Sequence, residues 1–346
     1  MKQLFKRIIL SVTLLPALGG SVEVLAQGMH FSQYYNAPLL LNPANTGLMS
    51  EKDFRVGANY RDQWSKIPVP YKTISAYGDC QLFRGIEGTN WMGFGLAFFN
   101  DKAGDGELTL NKFEANIAYH IQIDEFSMIS AGISGGYGQR SVNFNKLTFN
   151  DQWDGFSFNS LAINNEFDGT INTSYFDVGA GLNYAFFPNE FTYIKIGAGL
   201  AHLNQPEETF YGQKGITNNI GLRPTGNIDG LFRVSESLII NPSAYYTMQK
   251  GASEFLFGSL AMVFVSNDKD NNTQLIFGGF YRWNEAAVLA LGLQFNSMRV
   301  MASYDYTIST LSPDIKGNGG WELGLMYQGM YGNLYSGRKT INCPRF

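Results

Sequence analysis

The sequence predicts an all-β protein, an antiparallel transmembrane β-barrel of about 14 strands. Three observations predict this fold class. Side-chain polarity alternates with period two along most of the chain, the alternating segments are about nine residues or longer, and the loops between them alternate between long and short. Membrane barrels combine these features, because each strand faces lipid on one side and the lumen on the other.

The first 26 residues predict a secretory signal peptide. Residues 2–7 carry the positive charges, residues 8–18 form an apolar stretch, and small residues precede the expected cleavage between Ala26 and Gln27. The apolar stretch is too short to span a bilayer. The remainder of the chain shows no long apolar helix, so a membrane role would require a closed barrel, which satisfies every backbone polar group in lipid.

Alternation identifies the strands. Between residues 54 and 61, for example, the even positions are apolar or aromatic and the odd ones are Arg, Gly, Asn and Arg. Alternation is least regular at 91–100 and 254–266, so about twelve or about sixteen strands remain alternatives. The predicted strands are 54–62, 72–82, 91–100, 107–122, 126–139, 173–186, 192–203, 220–234, 237–249, 254–266, 273–283, 287–297, 299–309 and 319–328.

Loop lengths predict the orientation of the barrel. The odd connections tend to be long, at 63–71, 140–172, 204–219 and 310–318, and the even ones tend to be short, at 123–125, 187–191, 235–236 and 298. Outer-membrane barrels place long loops at the cell surface and short turns in the periplasm. The connections at 83–90 and 284–286 depart from this pattern.

Two segments flank the predicted barrel of residues 54–328. The pre-barrel segment, residues 27–53, is rich in apolar side chains and holds two prolines, so it requires burial either in the lumen or against a partner. The tail, residues 329–346, follows the last strand. With an even number of strands, both segments would start at the periplasmic side and could meet other proteins there.

Charged residues on the inward parity predict a filled lumen. Both signs are mixed, which favours ion pairing over an ion-selective pore. Inward glycines also permit the close approach of a plug or tail. The inward charges are Arg55, Arg61, Asp79, Lys112, Glu114, His120, Asp177, Lys195, Asp229, Arg233, Arg282, Asp305 and Glu322.

Composition and motifs argue against catalysis and nucleic-acid binding. Charged residues make up 16% of the chain, against about 25% in average proteins, and the net charge is −4, which provides no basic surface for nucleic acid. Residues 132–136 read G-x-S-x-G but lie within an alternating segment, whereas a nucleophile elbow requires a strand-to-helix turn. His30, His120 and His202 lack the spacing of metal ligands. We therefore predict no enzyme, no cofactor and no metal.

The only two cysteines of the chain, Cys80 and Cys343, would both lie on the periplasmic side. Because that compartment is oxidising, a disulfide between them is a hypothesis, and mass spectrometry with and without reductant tests it.

The two ends of the mature chain carry a family resemblance. Residues 30–47 read HFSQYYNAPLLLNPANTG and residues 343–346 read CPRF. With an all-β chain between them, these motifs resemble the PorP/SprF family of type IX secretion system membrane proteins. The resemblance implies an outer-membrane barrel of a diderm bacterium. Its implied partners are periplasmic ring lipoproteins of the system, or a secreted surface adhesin with a type B C-terminal domain.

The sequence therefore predicts a non-enzymatic barrel that supports export or surface attachment of such an adhesin by binding partners. The alternative is a porin or transport channel for small solutes. We expect partner contacts at both ends and in the Phe- and Asn-rich loop 140–172. The candidate residues are His30, Phe31, Tyr34, Tyr35, Asn42, Pro43, Phe149, Trp153, Phe156, Arg345 and Phe346.

Overall fold

The computed structural model confirms a closed antiparallel barrel of 14 strands, in which every strand pairs with its neighbours in sequence and β1 pairs with β14. It describes residues 31–49, 52–64, 70–84, 89–153, 155–157, 159, 169–209, 219–268, 271–309 and 317–332. The strands are β1 (Phe54–Gln63), β2 (Tyr71–Leu82), β3 (Asn90–Ala103), β4 (Leu108–Asp124), β5 (Ser127–Asn143), β6 (Thr170–Asn189), β7 (Thr192–Ala201), β8 (Arg223–Ser235), β9 (Leu238–Gln249), β10 (Ala252–Asp268), β11 (Asn271–Arg282), β12 (Ala286–Phe295), β13 (Met298–Thr307) and β14 (Asn318–Gly329).

The predicted alternation of faces is confirmed. In β1, Arg55 and Asn59 are buried inside the barrel, whereas Val56 between them is 47% exposed on the outer surface. The same order holds in β4, where Asn116 is inaccessible and Ile117 is exposed. A face of aliphatic and aromatic side chains is what the hydrocarbon core of a membrane requires.

The two ends of the barrel differ in their connections. The long loops 144–169, 202–222 and 308–317 share one end, which we call the outer end. The tight turns 125–126, 190–191, 236–237 and 296–297 share the other, which we call the periplasmic end. The first residue of β1 and the last of β14 also lie at the periplasmic end.

Residues 31–49 lie inside the barrel, and we call them the plug. The plug contains two 3-10 turns, Tyr34–Asn36 and Pro43–Asn45, and one α-helical turn, Pro38–Leu41. Among the described residues, no helix has the length and apolar character needed to cross a membrane.

Candidate functional site

The plug crosses the lumen from the outer half to the periplasmic end, and the barrel buries nearly all of it. Phe31, Leu39, Asn42 and Thr46 are each 5% exposed or less. Of the two burial sites that the sequence left open for this segment, the lumen is the one observed. The reason is chemical: the segment combines apolar side chains with amide and hydroxyl groups, and the inward face of the strands supplies partners for both kinds.

The outer end of the plug is held by a charged cluster, which we call the outer latch. The backbone N–H groups of Ser32 and Gln33 donate to the two carboxylate oxygens of Glu322, at 2.6 and 2.8 Å. The hydroxyl of Ser32 donates to Asp305 at 2.6 Å. Arg61 forms ion pairs with both carboxylates and Arg282 forms one with Asp305, so two buried cations compensate two buried anions.

Asn42 anchors the middle of the plug. Its side-chain N–H₂ donates to the carbonyl oxygens of Leu182 and Ala198 at 3.2 Å and to the side chain of Asn183 at 3.0 Å. Its side-chain oxygen accepts from the N–H of Ala44 at 2.9 Å and thereby caps the second 3-10 turn. Because Pro43 fixes φ directly after this anchor, the turn loses little conformational freedom on binding.

The periplasmic end of the plug is held by a second cluster, the inner clasp. The N–H of Gly47 donates to Asp79 at 2.8 Å, and Asp79 also accepts two hydrogen bonds from Arg55, at 2.7 and 3.0 Å. The indole N–H of Trp91 donates to the carbonyl of Gly47 at 2.8 Å. The ring nitrogen Nε2 of His120 lies 2.8 Å from the carbonyl oxygen of Thr46, which places this histidine in the lumen network as predicted.

Inward glycines allow the plug to approach the strands at backbone distance. A Cβ atom added to Gly132 would lie 2.5 Å from the carbonyl carbon of Pro43, and one added to Gly93 would overlap the carbonyl group of Thr46. Real Cβ atoms essentially never come so close, so these positions exclude larger residues while the plug is in place. Gly47 adopts φ +67°, a conformation that favours glycine.

Ion pairing among the other lumen charges is confirmed. Lys112 pairs with Glu114 at 2.8 Å and with Asp177 at 2.6 Å, and Lys195 pairs with Asp229 at 3.4 Å. Arg282 pairs with Glu254 at 3.0 Å and with Glu285 and Asp305. Arg233 departs from the prediction: it donates to the carbonyl of Glu236 and lies 5.5 Å from the ring centre of Phe264, without an ion pair to any described residue.

Polar groups also pair with one another at the outer end, around the start of the 202–222 loop. His202, which follows β7 directly, contacts Asp177 at 2.8 Å through its Nδ1. Burial lowers the pKa of His202, although the hydrogen bond to Asp177 opposes this effect. Glu208 pairs with Arg140 at 3.0 Å, and burial raises the pKa of Glu208.

The structure separates the candidate partner-binding residues into two groups. Phe31, Tyr34, Tyr35, Asn42 and Pro43 belong to the plug and contact the barrel, so contact with a partner at these positions stays a prediction.

Phe149, Trp153 and Phe156 belong to the outer loop between β5 and β6. Trp153 is 55% exposed and Phe156 is 95% exposed, whereas Phe149 is half-buried against Phe144. His30, Arg345, Phe346 and Cys343 lie outside the described residues. The disulfide therefore also stays a prediction, and Cys80 lies half-buried on the outward parity of β2.

Within the described chain we find no group of three or more His, Cys, Asp or Glu residues arranged to hold a metal ion. The G-x-S-x-G string lies within β5, as the alternation predicted, and Gly132 contacts the plug there. Sequence reasoning missed Ser32, Gln33 and Asn45 as contact residues. Their polar character within an apolar segment is the signal that could have identified them.

Comparisons with known proteins agree with this architecture. Residues 24–327 match the family model described as type IX secretion system membrane protein PorP/SprF. No curated protein matches the sequence.

Among solved structures, the Ralstonia pickettii toluene transporter TbuX is 12% identical with a TM-score of 0.52, over 85% of this chain and 93% of that one. The Pseudomonas putida toluene transporter TodX is 10% identical with a TM-score of 0.51, over 86% of this chain and 94% of that one. At these identities the likeness shows the barrel fold alone.

Proposed function

Because the chain belongs to the PorP/SprF family of type IX secretion system membrane proteins, we propose that it is a non-enzymatic outer-membrane barrel of the secretion and gliding machinery. In this proposal it supports the export or the surface attachment of a large adhesin-like protein by binding partners. The observation that carries the proposal is the plug, which is bonded to the barrel at the outer latch, at Asn42 and at the inner clasp. A lumen filled in this way suits a barrel that anchors a partner protein better than it suits an open channel.

The outer loop between β5 and β6 is the surface that we propose for the secreted partner. Trp153 and Phe156 expose large aromatic surfaces there. Aromatic side chains are enriched in the energetic centres of protein interfaces, because they bury much apolar area at little entropic cost. The proposed partners are an adhesin with a type B C-terminal domain at the outer end and ring lipoproteins at the periplasmic end.

The competing function is a transport channel for small solutes. The two toluene transporters of similar fold are the reason to consider it. Two physical arguments favour the anchor. The plug makes hydrogen bonds to charged groups at both ends, and such bonds stabilise by about 1.5–3 kcal/mol each. In addition, most inward charges pair with one another rather than lining a path.

Affinity isolation from native membranes tests the proposal. We expect the barrel to retain an adhesin or ring lipoproteins in mild detergent. The double variant Trp153→Ser/Phe156→Ser should lose the surface protein while it retains the barrel fold. A matched control is Phe176→Ser, which removes an aromatic side chain that is 73% exposed on the membrane-facing surface of β6.

Two results would contradict the proposal. One is a barrel that is isolated alone under conditions that preserve other membrane complexes. The other is a steady open-channel current from the purified wild-type barrel in a planar bilayer, which would favour the transport function.

A further inference from the structure

The periplasmic end of the lumen contains a recess of about 370 Å³. Neither the proposed outer-loop surface nor the bonds that hold the plug give this recess a role. The last residues of the plug, Leu48 and Met49, form one wall. The other walls come from strand ends around the barrel, including Trp91 of β3, Tyr193 of β7 and Gln328 of β14. Its volume lies in the range typical of ligand sites.

The charge of the recess is positive. Four cationic side chains line it, Lys52, Arg55, Lys195 and Arg299, whereas Asp229 is the one carboxylate among its lining residues. Arg55 is neutralised by Asp79 and Lys195 by Asp229. Lys52 and Arg299 form no ion pair with any residue in the described part of the chain.

Arg299 is the cation that most requires a counter-charge. It lies within the lumen at the start of β13, and its Nε donates to the side-chain oxygen of Gln294 at 2.8 Å. An amide oxygen satisfies a donor but does not neutralise the charge, and a guanidinium presents five donors. The hydroxyl of Tyr35, another lining residue, is buried and has no hydrogen-bond partner among the residues that the structure describes. Both groups match an anionic oxygen acceptor.

Most of the remaining polar side chains of the recess carry primary amides, which donate and accept hydrogen bonds at the same time. Peptide groups also offer one donor and one acceptor each, so the amides match a polypeptide backbone better than an inorganic anion, whose oxygens mainly accept. The amides are those of Asn241, Asn272, Gln274, Gln294, Asn296 and Gln328.

We propose that this periplasmic recess binds a polypeptide segment that carries a carboxylate. Arg299 contacts the carboxylate, Lys52 attracts it from the mouth, and the amides hold the adjoining peptide groups. The carboxylate belongs either to another polypeptide or to residues 333–346 of this chain. Tyr331, two residues before that segment, is bonded to Asp53 at the same end of the barrel.

The test uses the purified barrel and two pools of dansyl-labelled random tetrapeptides that contain no Asp or Glu, one pool with a free C-terminal carboxylate and one amidated. Equilibrium binding is measured by dansyl anisotropy. We expect the carboxylate pool to bind the wild-type barrel at least about tenfold more tightly, as a hydrogen bond between charged groups implies. Arg299→Gln should abolish this preference, and Lys52→Gln, outside the strands, should reduce it. Arg233→Gln, a cation at the same end that does not line the recess, should preserve it.

Three results would overturn the proposal: equal binding of the two pools by the wild type, a preference that survives in a folded Arg299→Gln barrel, or displacement of the peptides by inorganic phosphate as effectively as by unlabelled peptide. A shortened variant that ends at residue 332 distinguishes the two sources of the carboxylate. Tighter peptide binding than in the full chain assigns the recess to the tail, and unchanged binding assigns it to another polypeptide. Because only the purified barrel is used, the result is independent of whether secretion partners co-purify.

Discussion

Weakening the outer latch should release the outer end of the plug, and Glu322→Gln is the change that isolates this effect. The wild-type carboxylate accepts one backbone N–H on each oxygen, from Ser32 and Gln33. A glutamine side chain has nearly the same shape but retains one acceptor oxygen, and its N–H₂ group cannot accept the second bond. The variant also removes the ion pair between Glu322 and Arg61, but Arg61 keeps its ion pair with Asp305 and is not left without a counter-charge.

The magnitude follows from the one hydrogen bond that is lost. A hydrogen bond to a charged acceptor stabilises by about 1.5–3 kcal/mol, and the remaining bond weakens because its acceptor is now neutral. Since about 1.4 kcal/mol corresponds to a factor of ten, the ratio of released to latched plug should rise by one to two orders of magnitude, roughly.

Single-channel recording in planar bilayers measures this ratio. We expect brief openings in the variant that are absent or far rarer in the wild type, while the two melting temperatures stay close. Glu285→Gln is the matched control, because Glu285 pairs with Arg282 at 3.2 Å in the same region but makes no bond to the plug. A silent Glu322→Gln barrel, or equal openings in the control, would show that this carboxylate does not hold the plug.

Three further predictions concern the plug and the outer mouth. Gly93→Val should displace the plug, because its side chain would occupy the position of the Thr46 carbonyl; we expect channel openings and a stability loss of about 1–3 kcal/mol in a barrel that still folds, measured by thermal unfolding. Asn42→Ala should expose the plug to limited proteolysis, since it removes three hydrogen bonds to β6 and β7, and an unchanged digestion rate would refute the anchoring role. The pKa of His202 is lowered in the fold, so the unfolded chain binds the proton first and stability should decline as the pH falls below about 6.5; His202→Gln should remove this part of the decline in pH-dependent melting curves.

The strands were predictable because their pattern is local. Lipid on one face and the lumen on the other impose period two on every strand, so β3 begins at Asn90 where 91 was predicted and β14 ends at Gly329 where 328 was predicted. The start of β6 was missed by three residues, because Thr170 and its neighbours belong to a part of the hairpin that extends beyond the alternating apolar residues. Parity also predicted most of the inward charges and their pairing. Arg233 is an exception to the pairing, and Glu254 and Arg299 were not among the predicted inward charges.

The contacts of the plug could not be predicted in this way. Ser32 and Asp305 are 273 positions apart, and they meet only after the barrel has closed and the plug has entered it. The position of Ser32 within an apolar segment indicates that it needs a buried partner, but nothing local indicates which carboxylate supplies it. The role of Arg299 could not be predicted for a related reason. Its lack of a carboxylate partner becomes apparent only when the ion pairs of the other lumen residues are known.

The plug also determines where a partner can bind. With the lumen occupied and most of its charges paired, the surfaces left for recognition are the two mouths and the membrane-facing wall. The mouths differ in chemistry: the outer one presents exposed aromatic side chains such as Phe156, and the periplasmic one presents the cationic recess at Arg299. A partner with an apolar surface and a peptide with a carboxylate would thus bind at opposite ends of the barrel, and they would not compete for one site. The plug is bonded to the barrel at the outer latch and at the inner clasp, so it provides a direct route by which one partner would influence the other.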